Sequence, residues 1–155
     1  MGAIPTKIRG LEEVSRMIGQ YTHSVDAKGR LFVPTKLREE LGDSFYLMIA
    51  PDNNLYVFPE AKWQQITERF NAASLSDARA KRYILANVAK VEPDKQGRFV
   101  VPPVLRAWAN LSGDVTFLGQ GDHAEIWDTA TYKGGESDFL SSREQLLATM
   151  KELSL

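Results

Sequence analysis

From Tyr21 to Phe58, apolar positions arrive in short β-branched and aromatic runs separated by turn residues. Tyr21–Val25 predicts a strand, and Leu31–Val33 predicts the next, stopped by Pro34, which has no N–H to give a ladder. Between them, Asp26-Ala-Lys-Gly29 has the chemistry of a hairpin turn: an aspartate able to accept backbone N–H groups, then a glycine able to take positive φ. Thr35–Leu41 predicts a short helix, with Leu37 and Leu41 on one face and Gly42 placed to end it. Phe45–Ala50 and Leu55–Phe58 predict two further strands around the turn Pro51–Asn54.

The spacing then changes. Trp63, Ile66 and Phe70 form a helical stripe over Ala61–Phe70, and Asp77–Ala89 predicts a second helix, with Ser74–Asp77 as a loose capping box. Near the end, Phe139, Leu146, Leu147, Met150 and Leu153 predict an amphipathic helix over Phe139–Leu153 that packs on its own chain.

The strongest signal is self-similarity. Asp26-Ala-Lys-Gly-Arg-Leu-Phe-Val-Pro34 returns as Asp94-Lys-Gln-Gly-Arg-Phe-Val-Val-Pro102, with Leu37/Leu105 and Arg38/Arg106 continuing the match. Leu55-Tyr-Val-Phe58 then parallels Ala124-Glu-Ile-Trp127, and Trp63 parallels Tyr132. The chain therefore divides into a first module at 17–65, a helical linker at 66–85, a second module at 86–133 and a C-terminal helix at 134–155. Residues 1–16 have no counterpart and read as a tag or non-native extension. Each module holds about four short strands and one helical turn, too little to bury its own faces, so two modules, from one chain or from two, are expected to complete a barrel together.

Composition narrows the function classes. Among 155 residues there is no cysteine, which excludes a disulfide scaffold, a thiolate metal site and a cysteine nucleophile. No apolar run reaches membrane-spanning length, and the N-terminus lacks the apolar core of a secretory signal, so the protein is expected in the cytoplasm without a membrane partner. His23 and His123 are the two histidines, with no spacing typical of a metal site; both read as structural. No metal, cofactor or small-molecule substrate is expected. Trp63, Trp108 and Trp127 read as core or interface.

Net charge is −1, but its distribution is uneven. In 26–38, Asp26 stands against Lys28, Arg30, Lys36 and Arg38; in 94–106, Asp94 stands against Lys95, Arg98 and Arg106. The segment from Asp122 onward is acidic and conceals these two basic stretches. Asp26, Gly29 and Pro34, with Asp94, Gly97 and Pro102, are explained by the turn. A turn has no need of a guanidinium beside its glycine, so Arg30 and Arg98 either pair with the neighbouring aspartate or contact DNA, as phosphate ligands or bidentate on guanine. The two roles are compatible. Lys36, Arg38 and Arg106 are solvated or phosphate-contacting positions on short helices; Arg79, Lys81 and Arg82 are solvated or lie between subunits.

The tandem Asp-x-x-Gly-Arg-x-x-Val-Pro modules, the opening Gly19-Gln-Tyr-Thr-His-Ser-Val-Asp-Ala-Lys-Gly-Arg30 and the module ending Glu125-Ile-Trp-Asp128 resemble the MraZ family of bacterial transcription factors. The modules are similar to the AbrB/SpoVT swapped-hairpin barrel, and the resemblance covers about 17–155. It implies a mainly β fold with helices (α+β), two swapped-hairpin modules packed together, and assembly into a homo-oligomeric ring. It implies a nucleoid-associated repressor that binds promoter direct repeats in double-stranded DNA upstream of the division and cell-wall gene cluster, its own promoter included. DNA contact would fall to Arg30, Lys28, Arg98, Lys95, Lys36 and Arg38. One departure stands out: Gln96 occupies the position of Lys28, which implies weaker DNA contact by the second module or a role in assembly.

Two other readings compete. An enzyme acting on a phosphorylated ligand is disfavoured because no P-loop, Gly-x-Ser-x-Gly or His-Glu-x-x-His stands in the chain. An antitoxin-like interaction module would use the C-terminal helix to hold a partner.

Overall fold

The computed structural model describes residues 16–140 and 143–155. The first half contains β1 (Gln20–Ser24), β2 (Arg30–Phe32), α1 (Thr35–Leu41), β3 (Phe45–Ala50), β4 (Asn54–Pro59) and α2 (Glu60–Ala72). After α3 (Ala78–Ala86), the second half repeats the order as β5 (Ala89–Val91), β6 (Arg98–Val100), α4 (Pro103–Ala109), β7 (Asp114–Gly119), β8 (Ala124–Asp128) and α5 (Thr129–Leu140), followed by α6 (Arg143–Glu152). The fold is mainly β with helices, as expected.

The halves interleave. β1 leaves its own half to pair antiparallel with β7, and β5 pairs with β3. The six-stranded sheet runs β1-β7-β8-β4-β3-β5, and β2-β6 form a separate two-stranded ribbon. Exchanging each strand for its repeat and reading backwards returns the same order, so a pseudo-twofold axis passes between β4 and β8 and between β2 and β6. Leu31 faces its equivalent Phe99 at the centre of the ribbon, and Tyr56 faces its equivalent Glu125 at the centre of the sheet. Each half supplies what the other lacks, the outcome that too little core per module predicts.

The ribbon closes one face of the sheet. Leu31, Val33, Phe99 and Val101 are buried against Phe45, Leu47, Leu55, Val57, Val115, Phe117 and Ile126. Phe99 meets the edges of Phe45 and Phe117, with ring centroids 5.2 and 6.4 Å apart. Full burial of each such side chain is worth about 1.5–3 kcal/mol, so the strands shared between halves carry most of the packing. A smaller cluster of Met48, Phe58 and Ile66, with Tyr46, Trp63, Ile84 and Val88 around it, holds α2 and α3 on the other face.

Local chemistry sets the boundaries. Pro34 and Pro102 end their strands in extended conformation and stand at the N-caps of α1 and α4. Gly42 and Asn110, both at positive φ, end those helices. Helix α3 departs from expectation. Its N-cap is Asp77, whose carboxylate accepts the N–H groups of Arg79 (2.9 Å) and Ala80 (3.3 Å), so Ser74 does not open the helix. It stops at Ala86 rather than Ala89, because Asn87 turns back, Nδ2 donating to the Tyr83 carbonyl, and Ala89–Val91 goes to the edge of β3.

The tail also differs. Helix begins at Thr129, and no residue of α5 or α6 is buried. Phe139, Leu146, Leu147, Met150 and Leu153 are all exposed, so the amphipathic face does not pack on the described part of its own chain. Residues 1–15, most of the segment read as an extension, lie outside the described residues.

Candidate nucleic-acid interface

The two Asp-x-x-Gly-Arg motifs fold alike. Asp26 Oδ1 accepts the backbone N–H groups of Lys28 and Arg30, each at 2.9 Å, and Oδ2 accepts Nε of Arg30 at 2.6 Å. Asp94 Oδ1 accepts the N–H groups of Gln96 and Arg98, each at 2.9 Å, and Oδ2 accepts Nε of Arg98 at 3.0 Å. Backbone bonds close each loop, Gly29 N–H to the Asp26 carbonyl and Gly97 N–H to the Asp94 carbonyl, both 2.9 Å. The glycines sit at φ 78° and 83°, where a Cβ would be strained. The Arg30 N–H first, then its side chain, hold the Asp26 carboxyl below the usual aspartate value; the Arg98 N–H leads the same effect on Asp94.

Both readings of the arginines are therefore compatible with the geometry. Each guanidinium pairs with its aspartate through Nε, and among the described residues the terminal nitrogens of Arg30 and Arg98 donate no hydrogen bond. The pairing fixes the direction of the fork and leaves its bidentate end open.

The turns are not hairpin tips. Because β1 pairs with β7, the Asp26–Gly29 turn carries the chain from the sheet to the ribbon and forms a corner. Arg30 and Arg98 are the first residues of β2 and β6. In the ribbon Arg30 lies opposite Val100 and Phe32 opposite Arg98, while Leu31 and Phe99 point into the core. Residues directly opposite share a face, so Arg30, Phe32, Arg98 and Val100 make up the outer face, with the two arginines on a diagonal across the pseudo-axis. Their side chains are 36% and 32% exposed, so the second module presents its arginine as fully as the first despite Gln96.

The other sequence candidates divide. Lys28, Lys95 and Lys36 are exposed, the first two in the corners flanking the ribbon and the third on α1. Arg38 is engaged elsewhere: Nε donates to the Val33 carbonyl at 3.3 Å and Nη2 to the Gln96 carbonyl at 3.0 Å, which lays the guanidinium against Gly97. Arg106 covers Gly29 in the same way, with its Nε buried and without a hydrogen bond. Each helix thus braces the corner of the opposite half. Phe32 and Val100 carry no charge or turn chemistry to single them out in the sequence; their alternation with Leu31 and Phe99 is the one signal there that puts them on the arginines' face.

The tryptophans and histidines are structural. Trp108 Nε1 donates to the Ala50 carbonyl (3.0 Å), Trp127 Nε1 to Glu125 (2.8 Å), and Trp63 stacks on Tyr46. His23 packs edge-on to Phe117, and His123 Nδ1 lies 2.7 Å from Asp122, whose other oxygen accepts Lys62 Nζ. No helix among the described residues is long and apolar enough to cross a membrane.

An internal duplication whose halves exchange strands, and whose Asp–Arg corners converge on one exposed β-ribbon, defines a tandem swapped-hairpin barrel. A family model described as "MraZ protein, putative antitoxin-like" matches the chain twice, at residues 17–87 and 84–152. The chain belongs to the MraZ family. Curated relatives named "Transcriptional regulator MraZ" include those of Finegoldia magna, 33% identical with 89% of this chain and 99% of the relative aligned, and Carboxydothermus hydrogenoformans, 37% identical over the same shares. The one from Caldanaerobacter subterraneus is 41% identical over 76% of this chain and 84% of its own.

Proposed function

We propose that this chain is a transcriptional regulator that binds double-stranded DNA sequence-specifically through the outer face of the β2–β6 ribbon. The observation that carries this reading is the pair of guanidinium groups, Arg30 and Arg98, each oriented through Nε by its own aspartate with the bidentate end free. The major groove admits a two-stranded β-ribbon, and a bidentate arginine on guanine O6/N7 is the commonest specific contact there. Lys28, Lys95 and Lys36 supply phosphate contacts around it.

One ribbon offers few positive groups, so affinity requires multiplicity. The exposed apolar face of α5 and α6 supports self-association into a ring, in which several ribbons engage direct repeats and each added contact is intramolecular. Repression of the division and cell-wall cluster, including its own promoter, in the nucleoid is the role this reading assigns.

Footprinting and gel shifts on DNA immediately upstream of the protein's own gene test it. Arg30→Ala and Arg98→Ala are each expected to weaken binding by about 1–3 kcal/mol and to relax sequence preference, with assembly size unchanged. Wild-type affinity in both variants overturns the assignment. Stoichiometric capture of a second protein through α6, with no duplex preference, favours the antitoxin-like alternative.

A further inference from the structure

Two large apolar side chains sit on the face that the arginines occupy. Phe32 is 44% exposed and Val100 52%, whereas their strand neighbours Leu31 and Phe99 are 0% and 4% exposed. Core packing does not require them, since the ribbon's inward face is already filled. Each stands directly opposite an arginine: Val100 beside Arg30, Phe32 beside Arg98. The surrounding charge is positive. Asp26 and Asp94 are tied to the Nε groups, and Lys28 and Lys95 are exposed in the two corners.

We infer that Phe32 and Val100 read the C5-methyl groups of thymines next to the bases contacted by Arg30 and Arg98. The inference rests on the DNA-binding reading above and names a base specificity within it. The chemistry is direct: in the major groove only thymine offers a methyl group, and an apolar side chain recognises it by contact. A ribbon lowered into that groove brings its outward side chains to the base edges together, so each arginine acts with the apolar group across from it. Two cations on one diagonal of the face and two apolar groups on the other suit a polyanion whose groove floor carries methyls; an apolar protein partner would have to desolvate two guanidinium groups.

The two apolar positions are repeats of one another but differ in reach. The phenyl ring of Phe32 extends further than the isopropyl group of Val100, so the two thymine positions contribute unequally and the complex prefers one direction along the duplex. Approximate twofold symmetry in the protein thus yields a polar footprint.

The test uses the full chain and a duplex enriched by the wild-type protein from a random-sequence library. Thymidines are replaced singly by deoxyuridine, which removes the methyl and keeps every hydrogen-bonding group. The wild type is expected to lose about fourfold in affinity at each of two thymines, the factor that corresponds to burial of one methyl-sized group, with the larger loss at one of them. Phe32→Ala should lose a comparable factor on the unmodified duplex and become indifferent to deoxyuridine at its own position while remaining sensitive at the other; Val100→Ala should show the reverse. If no single replacement weakens wild-type binding, or if Phe32→Ala and Val100→Ala respond to deoxyuridine as the wild type does, this inference is overturned. Sensitivity to Arg30→Ala in that case leaves the broader DNA-binding reading standing, and loss of that sensitivity removes both. The deoxyuridine series on wild-type protein can overturn the inference however the variants fold.

Discussion

Arg38 lies across Gly97 of the opposite half, its Nη2 donating to the Gln96 carbonyl at 3.0 Å. The contact braces the Asp94 corner from outside and holds Nε and Nη2 on protein carbonyls. Arg38→Ala is therefore expected to lower the melting temperature and to weaken DNA binding at all salt concentrations alike. The slope of log affinity against log salt should stay at its wild-type value. Lys28→Ala should keep the melting temperature and flatten that slope by about 0.9, the loss of one phosphate contact. A flattened slope for Arg38→Ala identifies it as a phosphate ligand.

The corner aspartates predict an acid limb. Both carboxyls titrate below the ordinary value of 3.8 in the folded chain, chiefly because the N–H of the following arginine donates to them. A depressed folded value means stabilisation that is present above about pH 3.8 and is lost as pH falls through the lower folded values. Melting temperature followed against pH should fall in that range. In Asp26→Asn/Asp94→Asn it should start lower at neutral pH and fall less; an unchanged acid limb shows that these carboxylates do not contribute to it.

Two glycines predict opposite signs. At Gly119 a Cβ would meet the backbone of Met17 and Ile18, which lies over the β7–β8 hairpin through Met17 N–H to the Gly121 carbonyl (3.0 Å) and Gly121 N–H to the Met17 carbonyl (2.6 Å). Gly119→Ala should displace that segment, expose Met17, and speed hydrogen exchange at the Met17 and Gly121 amides. Gly134 lies inside α5, at ordinary φ, where a Cβ would meet open space. Gly134→Ala should stabilise by about 0.4–1 kcal/mol, read from the urea midpoint.

Leu31, fully buried at the pseudo-axis opposite Phe99, belongs to both halves at once. Leu31→Ala should cost roughly 2–5 kcal/mol. Unfolding should remain a single transition, with fluorescence of Trp63 and Trp127 lost together. Separate transitions would mean that the halves hold independent cores.

Much of this was legible in the chain because local rules suffice for it. Helix α1, strand β3 and the turn between Ala50 and Asn54 follow from side-chain spacing, glycine and proline. The repeat predicted two modules completing one barrel, and the Asp–Arg pairing followed from the motif. Partner choice was not legible: nothing in Tyr21–Val25 says that it pairs with Asp114–Leu118 rather than with the strand that follows it, so a corner was read as a hairpin. Arg38 escaped for the same reason, since its acceptor is 58 residues away. Ala89 was drawn into α3 because helical periodicity cannot see the open edge of β3. The tail's apolar spacing predicts helix over 139–153, of which 141–142 lie outside the described residues and Phe139, Leu140 and Arg143–Glu152 stand in helix; spacing says nothing about what such a helix covers.

The exchange of strands has an evolutionary corollary. A homodimer of one half would be compelled to carry identical side chains at both ribbon positions and in both corners. Joining the copies through the exposed stretch at 73–77 releases that constraint, so Phe32 can diverge from Val100 and Lys28 from Gln96. Tethering also makes the union of the halves insensitive to dilution. Cleaving that stretch should convert one unimolecular fold into an encounter of two fragments, whose survival then depends on how concentrated they are.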